Sequence, residues 1–308
     1  MRFFNKDNRG AYELSLLTGT YSASNVYSNI ESEVIFATEE LAKLLGSSIM
    51  KRASDFYMAH SIDDSLDAKL VQHIQRAIAC LATSRYHQQT LVSHGDSGRK
   101  VKADGSETMA WEWMIERDDR AARERYYRTL DSLFGFLEQH NSTFQEWREA
   151  PVHASLLDCL IGDLGMLEQV YPVNGSYYTF FRLLPIMKEV QEEKLRPLCG
   201  ESWAKVTNDG LLTTMARRFV VLSALAEAVR RWSLEVFPLS VARVFCSTYQ
   251  GGRGSSAATK EEIEWFVESM QKAAEEVQRK ILRTLKPSTV AELFARNNPT
   301  QKHFNMGI

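Results

Sequence analysis

Leu211-Leu212-Thr213-Thr214-Met215-Ala216-Arg217-Arg218-Phe219-Val220-Val221-Leu222-Ser223-Ala224-Leu225-Ala226-Glu227-Ala228-Val229 is the stretch on which the fold class turns. Leu212, Met215, Phe219, Leu222, Ala226 and Val229 recur at helical spacing and make one apolar face. Val220, Val221, Ala224 and Leu225 make the opposite face apolar too. A helix apolar all round has to be covered on every side, so this one belongs at the centre of a helical body. Its most apolar window, Phe219 to Val229, is flanked by Arg217, Arg218, Arg230 and Arg231 and is about half as long as a membrane span. The helix, read from Leu211 to Val236, is a buried element and not an anchor, and Pro238 ends it.

Upstream, the same helical period returns several times. Ser28-Asn29-Ile30-Glu31 has capping-box spacing and opens a helix along Ile30, Val34, Ala37, Leu41 and Leu44, which Gly46 ends. Ser47-Ser48 start a second helix through Ile49, Ala53 and Phe56, which predicts a helical hairpin. Asp63 to Gln89 carries Leu66, Leu70, Ile74, Ala77 and Leu81, with Asp63 or Ser65 as the cap. Met109 to His140 is the longest helical stretch; Glu116/Arg120, Asp119/Arg123 and Glu124/Arg128 are acid-before-base pairs that mark a solvated face. Val152 to Val170 reads as a helix through Leu156, Leu160, Leu164 and Leu167, and Ser176 to Gly200 as a helix bent at Pro185.

Between these helices the period changes twice. In Thr90 to Thr108 the turn residues Gly95-Asp96-Ser97-Gly98 separate Leu91-Val92 from Val101 and Ala103, which suits a short projecting β-hairpin or ordered loop. Ser240 to Tyr249 reads as a strand, followed by a mobile glycine-rich loop near 250–258. Thr259-Lys260-Glu261-Glu262 is a second capping box, opening a charged amphipathic helix to about Leu285. The expectation is therefore an all-α protein, a multi-helix bundle with a small β-hairpin or short strand insertions. An N-terminal arm, 1–27, precedes the helical domain, 28–285, and a C-terminal tail, 286–308, follows it.

Composition narrows the function classes. Thirty-seven Lys and Arg against thirty-nine Asp and Glu leave a net charge of -2, with no cationic tract to hold a phosphate backbone, so sequence-specific nucleic acid is not an expected partner. No membrane partner is expected either, and the polar opening Asn5-Lys6-Asp7 does not resemble a signal peptide. Cys80, Cys159, Cys199 and Cys246 lie far apart without zinc spacing and read as buried thiols. Gly251-Gly252-Arg253-Gly254-Ser255 lacks the Lys of a phosphate-binding loop. Adjacent carboxylates such as Asp118-Asp119 point about 100° apart on a helix and do not converge on a shared proton. No catalytic, cofactor or metal residue is assigned, and no enzymatic activity is expected. The candidate residues are those suited to an interface: Trp111 and Trp113, Arg99 and Lys100 on the hairpin, Arg253 in the loop, and Phe304, Met306 and Ile308 in the tail.

Phe144-Gln145-Glu146-Trp147-Arg148, Tyr171-Pro172-Val173-Asn174-Gly175-Ser176 with Thr179-Phe180, and Arg182-Leu183-Leu184-Pro185-Ile186-Met187 running on to Arg196-Pro197-Leu198-Cys199-Gly200 resemble an uncharacterised helical family. That family is found in Bacteroides-type bacteria and their phages and prophages. Its members tend to be encoded among virion assembly genes, so the resemblance implies a virion structural protein such as a head-tail connector or adaptor, assembled in the bacterial cytoplasm. The implied partners are other virion proteins (portal, tail or capsid) and copies of itself; no cofactor is implied. Two other readings stay open. One is an all-α enzyme whose site is assembled from dispersed residues, the other a cytoplasmic adaptor that binds a peptide in a helical groove.

Overall fold

The computed structural model describes residues 1–59, 63–95, 98–101, 111–232, 234–236, 242–244 and 259–285. The chain is mainly α and clusters into two compact units. The first takes in Met1–Leu157 and Gly175–Arg182; the second takes in the described residues of Asp158–Asn174, Leu183–Cys246 and Ala257–Ile308.

The first unit opens with α1 (Gly10–Thr18), α2 (Glu31–Leu45), α3 (Ser47–Ala59) and α4 (Leu66–Thr90). The backbone of β1 (Val92–Gly95) then pairs antiparallel with β2 (Gly98–Val101), Val92 opposite Val101. After these come α5 (Glu112–Gln139), α6 (Gln145–Arg148) and α7 (Pro151–Ala154). Ser65 caps α4 by accepting the Ala68 amide at 3.2 Å. α4 buries Leu70, Val71, Ile74, Ala77 and Ile78, and α1, α2, α3 and α5 all pack on it. It is the centre of this unit.

Two expectations about the opening change. The first 27 residues do not form an arm: they hold α1, and Phe3, Phe4, Leu14 and Tyr21 are buried. The buried Gln75 amide secures this segment by donating to the Phe3 carbonyl at 2.6 Å. Ser28 does not cap α2, because Tyr27–Asn29 is a 3-10 turn that leaves Ile30 at the capping position, without a side-chain bond.

Two side-chain hubs tie the later helices in. Arg52 of α3 donates to Asp67 at 2.7 Å, to Glu146 at 3.1 Å and to the Thr143 carbonyl at 3.1 Å, and lies over the Phe144 ring at 4.9 Å. Trp147 is fully buried; its indole N–H donates to Glu138 at 2.8 Å, and His153 meets the same carboxylate at 3.0 Å. Phe134 and Phe181 pack against the Trp147 ring at centroid distances of 5.6 and 5.5 Å.

In the second unit, α8 is Leu164–Glu168. α9 (Tyr177–Val190) begins in the first unit's residues and continues here. α10 (Arg196–Cys199), α11 (Trp203–Asn208), α12 (Gly210–Trp232), the short pair β3 (Leu234–Val236) and β4 (Ala242–Val244), and α13 (Lys260–Leu285) follow. α12 buries Phe219 to Ala226 without a break, as an all-round apolar helix must, and α13 packs along it. The Thr259 box is formed: the hydroxyl accepts from the Glu262 amide at 3.2 Å, and the Glu262 carboxylate accepts from the Thr259 amide at 2.8 Å.

The helix expected over Val152 to Val170 does not exist as one element. Asp158 takes a left-handed φ of 62°, and the chain from Ser155 to Asp163 is irregular. Gln191, buried in the π-helical turn Gln191–Leu195, accepts the Leu160 amide at 2.7 Å and donates to the Asp158 carbonyl at 2.6 Å. Arg217 donates to the Leu160 carbonyl at 2.9 Å. Side chains from two helices thus satisfy the backbone that a helix would have satisfied internally. Pro185 lies inside α9 without ending it, and the irregularity comes later, at the π turn.

Candidate functional site

Four of the protein's tryptophans are exposed: Trp111 is 70% exposed, Trp113 52%, Trp265 70% and Trp232 36%. The first two stand at the start of α5, where Trp111 is the capping residue and its carbonyl accepts the amides of Met114 and Ile115. Met114 beside them is also exposed. From Glu112 to Thr129 no residue of α5 is buried, whereas Leu130, Leu133, Phe134 and Leu137 are. Ile115, Asp119, Ala122, Tyr126 and Thr129 form the half-buried edge of that solvated half, and the remaining positions are open.

The open face mixes charge and aromatic surface. Glu124 lies between Arg120 at 3.3 Å and Arg128 at 3.9 Å, all three well exposed. Arg125 is used internally, donating to the Thr18 and Leu17 carbonyls at 2.5 and 3.1 Å and closing the C-terminal end of α1. Tyr127 stacks on Tyr178 at 5.1 Å, and Arg182 lies over Tyr178 at 5.7 Å. Burial pushes the Tyr126 phenol well above its usual range, and repulsion from Tyr178 and Glu40 adds to this.

A recess of about 140 Å³ lies beside this helix, lined by residues including Cys80, Ser84, His87, Asp118 and Arg125. Its polar groups are largely committed to structure. The Thr83 hydroxyl donates to Ala79, Arg125 holds α1, and burial raises the Cys80 thiol so that the reactive thiolate is disfavoured. The volume suits a few waters more than a metabolite, whose pockets run from roughly 300 Å³ upward. Among the described residues no group of three or more His, Cys, Asp or Glu is placed to hold a metal ion. No helix among them is long and apolar enough to cross a membrane.

The structure therefore brings Trp111 and Trp113 together on one exposed helix start. Arg99 and Lys100 stand on β2, opposite His94 and Ser93 in the backbone register. Arg253, Phe304, Met306 and Ile308 lie outside the described residues. Sequence reasoning missed Met114 as part of the same surface, and Trp265 as an exposed ring on α13. Their helical spacing gave a signal for a face but not for which face lacks a neighbour.

Residues 37–154 match the model of a family of unknown function, DUF6712. The matched segment runs from within α2 to the end of α7 and contains the Arg52 hub, the whole of α5, and Trp147 with Glu138 and His153 but not Phe181. Of the stretches that carry the resemblance, Phe144 to Arg148 falls inside it, whereas Tyr171 to Gly200 falls outside. No curated protein and no solved structure matches the chain.

Proposed function

We propose that the protein is a non-enzymatic assembly component, a virion protein of the head-tail connector or adaptor kind, that engages its partners through the solvated half of α5. The observation that carries this reading is the open start of that helix, with Trp111, Trp113 and Met114 exposed side by side. Large rings are costly to leave in water: covering one such tryptophan contributes on the order of 2–4 kcal/mol. Exposed tryptophan and arginine on one rigid helix are the side chains from which interface hot spots are built. The resemblance to proteins encoded among virion assembly genes supplies the class of partner, namely portal, tail or capsid proteins, and the virion as the location.

The test combines the purified chain with any portal, tail and capsid proteins found encoded beside its gene and images the product. A defined complex containing the chain is expected. Trp111→Ala with Trp113→Ala should leave the circular dichroism unchanged, since both rings are more than half exposed, and weaken that complex by about tenfold or more. Absence of binding to every virion component, together with turnover of a metabolite by the purified protein, overturns the reading in favour of an enzyme.

A further inference from the structure

We propose that the solvated half of α5 is a self-association face, on which the same helix of a second copy packs antiparallel about a twofold axis near Arg120 and Ala121. This rests on reading α5 as an assembly surface and names one occupant of it. An isologous contact demands that a surface complement itself when reversed. Trp113, Arg117, Arg120, Ala121, Glu124 and Arg128 lie on the outward side of the helix, opposite the half-buried edge through Ile115, Ala122 and Tyr126, and all six are exposed.

Run antiparallel against itself with the crossing between Arg120 and Ala121, this stripe sets Arg117 of each copy opposite Glu124 of the other. The same crossing sets Trp113 opposite Arg128. Both pairings are favourable, one as a guanidinium–carboxylate pair and the other as a cation over an indole face, and the twofold doubles each. At the crossing the small Ala121 lets the backbones approach. The side chains are available for this. Trp113 and Arg117 have no ring or ionic partner among the described residues, and Glu124 is held only by exposed pairs at i,i+4 spacing, which contribute little. Sliding one copy past the other by about one turn, which moves the crossing two residues toward the start of the helix, would set arginine against arginine at positions 117 and 120, so the pattern also selects the register.

Sedimentation of the full chain from micromolar to millimolar concentration tests the pairing. The wild type is expected to form a dimer as concentration rises. Arg117→Glu and Glu124→Arg should each raise the dimer dissociation constant by about tenfold or more, because each creates like-charge pairs on both sides of the axis. An equimolar mixture of these two variants should recover dimer, because each then supplies the charge the other lacks; the double variant should recover it alone. Unchanged circular dichroism shows that each variant is folded. A wild type that stays monomeric, single variants that associate like the wild type, or a mixture that fails to recover overturns the pairing. If such a monomer still joins virion proteins, the self-association fails while the assembly reading stands.

Discussion

Leu222 on α12 is 5% exposed, whereas the Lys260 side chain at the start of α13 is 85% exposed and, among the described residues, meets only Glu264, at 3.6 Å. Leu222→Ala should therefore destabilise the protein by about 2–5 kcal/mol, the cost of lost burial plus the cavity left behind. Lys260→Ala should change stability by less than about 0.5 kcal/mol. Thermal or denaturant unfolding measures both, and equal effects would contradict the packing of α12. At this scale the sequence was legible where a residue's role depends on its immediate neighbours. Ser65 and Thr259 cap their helices as their spacing implies. Ser28 does not, although its spacing is the same, because the preceding 3-10 turn moves the helix start past it. Trp111 and Trp113 had to face different ways on a helix. That both are exposed follows from the absence of any buried residue in the first half of α5, which neither tryptophan reveals by itself.

The helical elements were read well where one period runs without interruption, as in α4, α5 and α13; α12 was read too long, since it ends at Trp232 and Leu234–Val236, expected within it, form β3. The capping box of α13 gives a direct check on one of them. Thr259→Ala removes the acceptor of the Glu262 amide and should cost about 1 kcal/mol, read as a lower unfolding midpoint, with Thr259→Ser close to neutral. An undiminished midpoint in the alanine variant would show that the box does not hold the helix start. The element misread was Val152 to Val170, where Leu156, Leu160, Leu164 and Leu167 keep helical spacing although the chain from Ser155 to Asp163, between α7 and α8, is not helical. Nothing local gives it away, because Gln191 and Arg217, which replace the helical hydrogen bonds, lie 31 and 57 residues from Leu160. The Trp147 hub was missed for a similar reason: the ring, Glu138, His153 and Phe181 come from separate segments.

The molecule as a whole should lose stability in alkali. The Tyr27 phenol is pushed from 10.0 up to about 12, first by burial and then by the Glu31 and Glu13 carboxylates. Tyr57 and Tyr126 are also raised, with burial the main cause. A phenol whose pKa is raised by folding stabilises the fold fully below its unfolded value and loses that contribution as pH rises through the folded value. Unfolding midpoints should thus fall between pH 10.0 and about 12, and the fall should be shallower in Tyr126→Phe, which has no phenol to ionise there. A flat profile over that range would contradict the burial of these rings. The division into two units was not written in the sequence, because the chain passes between them more than once and the crossings after Leu157 and Arg182 carry no stretch rich in Pro, Gly or Ser. The clamp on Leu160 bears on the order in which the second unit forms. Its irregular segment has no structure of its own to nucleate and takes its shape from Gln191 and Arg217 only after the π turn and α12 exist. It therefore closes late in folding, against partners already in place, and the loops it must close are long but add little further entropy cost for their length.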